Sequence, residues 1–556
     1  MSINDFSESV ERYADNVLNG CRDRYGTEHT GLLADFFNSS TREPGRWEET
    51  LESRSGTKKG PIRIPSNLAI QQGFLRTLQA LAALKGEQHY RKAAEEWVGC
   101  ALPLLQDPTS GLLYWGGHST FDLKKTEPVI GCHEMKCVYP DYSIFYEVDA
   151  DRTRFLIEAI WERHVHDWSR LLFNRHGAYG GSRLKAGTGG FWQHYRFDGG
   201  SVPFVENEYL TFINTGSDLI YAGAMLGSLS GEAAPLEWAQ LLLDRYDRIR
   251  HPDTGLGGYQ FNYLEPCRVR ASFKPPLNRD EAINETMVLD CGVIRRRYGA
   301  VALTLLNLAE EIGKEKGGEF LRFVHRDLSA LARHAYDFST HCFLPCFNDG
   351  RRITPDDCVE RAGYLNMVNL TPLPPTGLMF LTFAKGYRLT GDPALKDVAL
   401  DQARGLGWAV ERNGGGYSVD VEALHSIRES AEEIHDVYRR KNEEDTAILM
   451  GWLELARADG RRELVEVAAG WGETLMERYF RNGFFYDSVS GTHESTHTGI
   501  DTGRFARTGN SLPLALLHLA SELEERTEGL PPYYPSLSDF TGLKNYHPDT
   551  GWPGQP

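Results

Sequence analysis

Residues 67–86 read NLAIQQGFLRTLQALAALKG, and this stretch decides the fold. Its apolar residues recur at a spacing near 3.6, and the run stops at Gly86, which predicts a helix over 67–85. After the turn KGEQ a second amphipathic run follows over 88–105, and then the loop DPTSGLLYWGGH, residues 107–118. The same unit returns along the chain. Predicted helices pair as 138–148 with 151–170, 204–228 with 233–250, 293–313 with 319–340, 374–390 with 394–411, and 443–457 with 461–479. An opening helix at 6–20 and a closing one at 511–526 make a seventh pair. Gly- and aromatic-rich loops recur as HPDTGLGGYQF (251–261), ERNGGGYS (411–418) and RNGFFYDSVSG (481–491). Helix pairs repeating at intervals of about 50 to 80 residues indicate a repeated αα-hairpin architecture. The long interval and the loops gathered at one end of each pair predict a closed, all-α (α/α) toroid with a central cleft. One such domain covers residues 1–530. The tail from Pro531 lacks helical period and is expected to pack as an extended strap over 531–556.

Composition narrows the function. The chain has 556 residues, of which 41% are hydrophobic and 25% charged, ordinary for a globular protein with a large core. A formal net charge of -17 argues against a nucleic-acid partner. It leaves room for an anionic sugar in a locally basic or metal-containing cleft. No stretch approaches the apolar length of a membrane span. The amino terminus, MSINDFSESVERYADNV, shows no secretory signal, and the nine cysteines are scattered without a CxxC. Both features predict a cytoplasmic protein with free thiols. A cysteine-based zinc site is not expected from this spacing.

The chemistry concentrates between Gly111 and Gly177. GLLYWGGH (111–118), HEMK (133–136) and FNRHG (173–177) bring His118, His133, Glu134, Lys136, Arg175 and His176 into one stretch. Imidazole and carboxylate together suit Zn, Mn or Fe better than Mg or Ca. His118 and His133 compete for one ligand role, and adjacent residues such as His133 and Glu134 point different ways on most backbones. His164 and His166, two apart on a predicted helix, face different directions. His194, in the Gly-rich segment 174–203, is a candidate for substrate contact, and so is Lys136. Tyr259, Trp115 and Trp192 are candidates to stack on sugar faces. Arg504 and Arg507 are candidates to bind carboxylates. His493 and His497 have a metal-like spacing only if helical, which their Ser, Thr and Gly neighbours oppose.

HEMK, followed by YPDY and FNRHG, resembles the family 2 pectate lyases, metal-dependent enzymes on an (α/α)7 toroid, an incomplete α/α barrel of helical hairpins. The resemblance implies β-elimination on a 4-linked uronide such as polygalacturonate or its oligomers, giving 4,5-unsaturated products. It implies a divalent metal, usually Mn2+, with Zn2+, Ni2+ or Co2+ as alternatives. Carried over, His118, Glu134 and His176 would hold that metal and Arg175 would act as base. From residue type and position, His133, Lys136, His194, Tyr259 and Arg504 are the candidates to line the substrate site. Two other classes compete. An (α/α)-barrel glycoside hydrolase on uronic-acid oligosaccharides would need paired carboxylates, for which Asp122, Glu147, Glu206 and Asp218 are the candidates. A non-catalytic helical scaffold would need none of these residues.

Overall fold

A computed structural model describes residues 3–53, 56–135, 137–181, 190–199, 211–261, 287–354, 371–413, 416–420, 441–487, 506–526 and 529–535. Among these, the fourteen α-helices of seven or more residues form seven pairs. In chain order they are α1 (Ile3–Gly20), α2 (Gln72–Lys85), α3 (Gln88–Leu105), α4 (Tyr142–Val148), α5 (Ala150–His164), α6 (Ile213–Ser230) and α7 (Ala233–Arg248). Then follow α8 (Ala302–Glu311), α9 (Gly313–His334), α10 (Gly377–Thr390), α11 (Pro393–Gly405), α12 (Lys441–Asp459), α13 (Arg462–Tyr479) and α14 (Leu512–Leu523). A π-helical turn, Ile294–Val301, leads into α8.

The even-numbered helices form the inner ring. α14 packs on α12, α12 on α10, α10 on α8, α8 on α6 and α6 on α4, and α14 closes the ring against α2. The odd-numbered helices lie outside, each against its pair, with α1 on α14. The first and last helices of the chain thus complete one hairpin, and the protein is an all-α toroid. Sequence explains which helices go inside. α6 buries nearly every residue from Ile213 to Gly227, and α10 every one from Gly377 to Gly386, because both are apolar or small all round. α9 is Lys- and Glu-rich and buries one stripe, including Phe320, Phe323, Val324, Leu328 and Leu331.

Between α2 and α4 the ring is joined by polar contacts. Gln72 Oε1 accepts from Asp141 N at 2.9 Å, Gln79 Nε2 donates to Asp141 Oδ2 at 2.7 Å, and Arg76 donates to Tyr139 O at 2.7 Å. Of the tail expected over 531–556, Pro531–Pro535 run along the inner helices, and the rest lies outside the described residues. Asn307 on α8 donates to Tyr533 O, and Arg76 on α2 lies 4.5 Å from the Tyr534 ring centroid.

From α2 to α13, each inner helix is left by a turn of one or two residues and reached by a long connection. The long connections therefore gather on one rim, which carries the motif stretch. Most helix ends differ from the sequence reading by a few residues, the helix expected over 319–340 running Gly313–His334 and the one expected over 394–411 ending at Gly405, and two differences bear on the site. The run expected over 67–85 begins with a 3-10 turn, Leu68–Ile70, capped by Asn67, and the α-helix starts at Gln72. The helix expected over 151–170 ends at His164. There the chain turns into a strand, Val165–Asp167, that pairs with Leu172–Phe173 and buries Val165 and Phe173. This early exit sets the register of the strand after it.

Candidate active site

The site is built on a two-residue antiparallel ladder. β1 (His133–Glu134) pairs with β2 (His176–Gly177), with Glu134 opposite His176 and His133 opposite Gly177. Met135 N donates to Arg175 O at 2.9 Å and extends the pairing by one bond. Cross-strand partners share a face and strand neighbours alternate. Glu134 and His176 therefore share one face, and His133 points to the other.

On the first face four side chains converge; Arg175 precedes the two-residue strand, and its long side chain reaches round to that face. His118 Nε2 lies 3.4 Å from Glu134 Oε2, and His176 Nε2 lies 3.7 Å from Oε1 of the same carboxylate. Arg175 Nε lies 3.4 Å from Glu134 Oε1 and donates to His176 Nε2 at 3.2 Å. The His118 and His176 rings meet edge to face, 5.3 Å between centroids. Glu134 is buried at its side chain (6% exposed), while His118 and Arg175 are 29% and 28% exposed. The cluster is thus rooted in the protein and open on one side.

His118 is delivered by the loop after α3. Gly116 has φ +91, a conformation open to glycine, and a Cβ there would stand 3.0 Å from Glu134 O. Asn67 clamps this loop: its Oδ1 accepts from Gly116 N at 3.0 Å and its Nδ2 donates to Gly116 O at 2.8 Å. Asn67 is held in turn by Asp35, whose Oδ1 accepts from Asn67 N and from Gln71 Nε2, each at 2.7 Å. Burial pushes the Asp35 carboxyl up to about 7, against the lowering effect of these two hydrogen bonds.

The second face is dry. His133 is 1% exposed. Trp115 Nε1 donates to His133 Nε2 at 2.7 Å, His133 Nδ1 contacts His164 Nε2 at 2.8 Å, and His164 Nδ1 contacts Asn174 O at 2.9 Å. One assignment of protons satisfies all three contacts: both imidazoles are neutral and carry the proton on Nδ1. Burial pushes His133 down to about 3 and His164 well below its ordinary value, so both stay uncharged. Gly177 makes room for this relay, since a Cβ there would meet His164 Nε2 at 2.7 Å.

Several expected site residues lie elsewhere. His133 does not line a substrate site, because strand alternation turns it inward. Trp115 and Trp192, each 2% exposed, are core residues. Trp115 serves the relay, and Trp192 packs against Trp161 and Trp168. Tyr259 is buried against Phe212 at the start of α6, its ring 5.8 Å from the Arg296 guanidinium carbon. His194 is exposed on a short turn that Trp238 of the outer helix α7 holds by its indole. Arg507 is buried in an ion pair with Glu443 and Asp487, which leaves no exposed guanidinium for a carboxylate ligand. Lys136, Glu206, His493, His497 and Arg504 lie outside the described residues.

Of the four carboxylates named for a hydrolase, the three among the described residues each have other partners. Asp122 accepts from the amides of Ile64 and Lys124, and Asp218 from those of Cys137 and Val138, while Glu147 pairs with Arg91. Sequence reasoning missed four contributors: Asn67, Asp35, His164 and Cys132. The Cys132 Sγ and a ring nitrogen of each of His118 and His176 all lie within 4.8 Å of one another. Its signal was the alternation itself, since Cys132 and Glu134 are two apart on an extended segment. Burial pushes the Cys132 thiol up to about 12, and the nearby Glu134 charge adds to it.

A family model described as periplasmic pectate lyase matches residues 30–542. The chain belongs to this pectate lyase family. It is a lyase acting on polysaccharide. A pectate disaccharide-lyase of Dickeya dadantii (strain 3937) is 26% identical, with 95% of this chain and 90% of that protein covered. Among solved structures, the cellobiose 2-epimerase from Bacillus thermoamylovorans B4167 covers 94% of this chain and all of its own (100%), at 10% identity and a TM-score of 0.41. The GH76A α-1,6-mannanase from Salegentibacter sp. HEL1_6 covers 93% of this chain and 99% of its own, at 11% identity and a TM-score of 0.38. The family's description as periplasmic overturns the cytoplasmic expectation, which rested on the amino-terminal residues and on unpaired cysteines. No helix among the described residues is long and apolar enough to cross a membrane.

Proposed function

We propose that this lyase cleaves 4-linked uronide chains, polygalacturonate or its oligomers, by β-elimination to 4,5-unsaturated products. Arg175 acts as the base, and a divalent ion is held by His118, Glu134 and His176. The observation that carries this reading is the convergence of two imidazoles and an arginine on the single carboxylate of Glu134. The donor set fits an ion of the Mn2+, Zn2+, Ni2+ or Co2+ group, with Mn2+ the first expectation. Two nitrogen or oxygen donors, each about 2.1 Å from one ion, stand roughly 3 to 3.5 Å apart. The two His–Glu134 separations here are 3.4 and 3.7 Å. Family membership and the printed activity of the Dickeya relative support the uronide class.

Removal of the C5 proton builds negative charge on the substrate carboxylate, and the bound ion supplies Lewis-acid stabilisation of that charge. Arg175, next to His176 in sequence and in contact with it, is placed to take the C5 proton. The electron pair then forms the C4–C5 double bond as the C4–O bond breaks, and the departing oxygen takes a proton from solvent to leave as a hydroxyl. An arginine normally stays charged, so the base role requires surroundings that disfavour its cationic form. The 3.4 Å ion pair of Arg175 with Glu134 shows the guanidinium already engaging a carboxylate and supports a second reading, in which Arg175 clamps the substrate carboxylate.

The test is ultraviolet absorbance of the unsaturated product, using chelator-stripped protein and polygalacturonate with and without Mn2+. Product formed only with the ion, and lost in Arg175→Ala, supports the proposal. No product on pectic, alginate or glucuronan substrates sinks it. Arg175→Lys separates base from clamp: a base shifts the pH profile of kcat, whereas a clamp raises KM and leaves that profile in place.

A further inference from the structure

The cluster on the open face holds a donor that the proposed ion site does not use. Cys132 precedes the ladder, and its backbone is fastened to the loop that carries His118. Ser119 Oγ donates to Cys132 O at 3.2 Å, and Gly131 N donates to Ser119 Oγ at 3.3 Å. Gly131 brings the two segments together, since a Cβ there would stand 2.3 Å from His118 O. These contacts hold the Cys132 Sγ beside both histidines, within 4.8 Å of a ring nitrogen of each.

We propose that Cys132 is a conditional fourth donor that decides which ions the site tolerates. This rests on the ion site proposed above. The thiolate and two imidazoles lie together here, and with the Glu134 carboxylate that stands beside both histidines they supply the four donors that Zn2+ prefers. A harder ion such as Mn2+ prefers oxygen and nitrogen donors and a higher coordination number. It leaves Cys132 aside and keeps positions open for the substrate carboxylate. Binding of a thiophilic ion forms a sulfur–metal bond and releases the thiol proton to solvent, with no change in oxidation state. Zn2+ is then a tight-binding inhibitor whose grip depends on Cys132, and Mn2+ is an activator that is indifferent to it.

The experiment uses the full chain stripped of metal, with Co2+ as the spectroscopic probe and Zn2+ and Mn2+ as competitors. Wild type with Co2+ is expected to show a thiolate-to-cobalt charge-transfer band in the near ultraviolet. Cys132→Ser is expected to bind Co2+ without that band. Its Zn2+ affinity should fall at least about tenfold, the lower end of what losing even an outer-shell partner costs a metal site. Its Mn2+ affinity should hold, and Cys132→Ala, which removes the hydroxyl as a substitute donor, should behave alike. Mn2+ binding that survives in both variants also shows that the site still folds.

Two results overturn the inference while leaving the ion site intact. One is His176-dependent Co2+ binding with no charge-transfer band. The other is a Zn2+ affinity unchanged in Cys132→Ser. If wild type takes up none of the three ions, the ion site itself fails, and Cys132 with it.

Discussion

His133 and His176 stand on opposite faces of one two-residue ladder, and they have opposite lives. His176 shares the Glu134 carboxylate with His118 and Arg175 on a face open to solvent. His133 is sealed between Trp115 and His164, with every ring nitrogen contacted and its charged form suppressed by burial. The same side chain serves two ends because one step along a strand exchanges an open face for a closed one. The histidine next to Glu134 in sequence is thereby turned away from the open face.

The comparison breaks most sharply by substitution on each face. His176→Ala is expected to lower lyase turnover by about a thousandfold, since several kcal/mol of charge stabilisation depends on that face. Its thermal midpoint should stay near that of wild type. A variant that keeps its turnover would remove the open face from the chemistry. His164→Ala should do the reverse. It empties a buried site and strands the donor of His133, costing about 2 to 4 kcal/mol of stability. Chemical denaturation reads that loss, and KM of the folded fraction should hold.

Asp35 tests the support behind the open face. Its carboxyl keeps a proton up to about 7 in the folded protein, against an ordinary value of 3.8. Between those values the folded state binds more protons than the unfolded one, so this group's contribution falls as pH rises. Asp35→Asn keeps the acceptor for Asn67 and Gln71 and removes the titration. It should raise stability at about pH 8 by on the order of 2 kcal/mol and change it little at about pH 5. Thermal melts at both pH values check this, and an unchanged pH slope would refute it. The smallest effect is expected at Gly116. Gly116→Ala forces φ +91 on a residue with a Cβ and should cost about 1 to 2 kcal/mol. It should also weaken substrate handling through the shifted His118 loop, which steady-state kinetics would read.

Much of the architecture was legible from helix periodicity. Six of the hairpins fall close to where apolar spacing and turn glycines put them, and so does the pairing of the first and last helices. The ends were less legible. Helical pattern alone carried α5 past His164, because the apolar Val165, Trp168, Leu171 and Leu172 fit a helix as well as the paired strands they form. The open cluster was legible from its motifs. His118, Glu134, Arg175 and His176 carry the residue types that the chemistry needs, and the structure brings them together. Trp115, Trp192, His133 and Arg507 looked equally suitable as letters, and burial excluded them.

Sequence by itself determined the helical hairpins, their number and the rim on which the long loops gather, because periodicity and turn residues are local properties. It left the choice between His118 and His133 open, and the structure shows His133 buried on the closed face of the strand. Only the tertiary structure decided what faces what. It set Asp35 behind Asn67. It joined His164 to His133, and it brought the Cys132 thiol between two histidines. Each of these is a meeting of segments far apart in the chain, governed by ring closure and burial, and no local pattern encodes such a meeting.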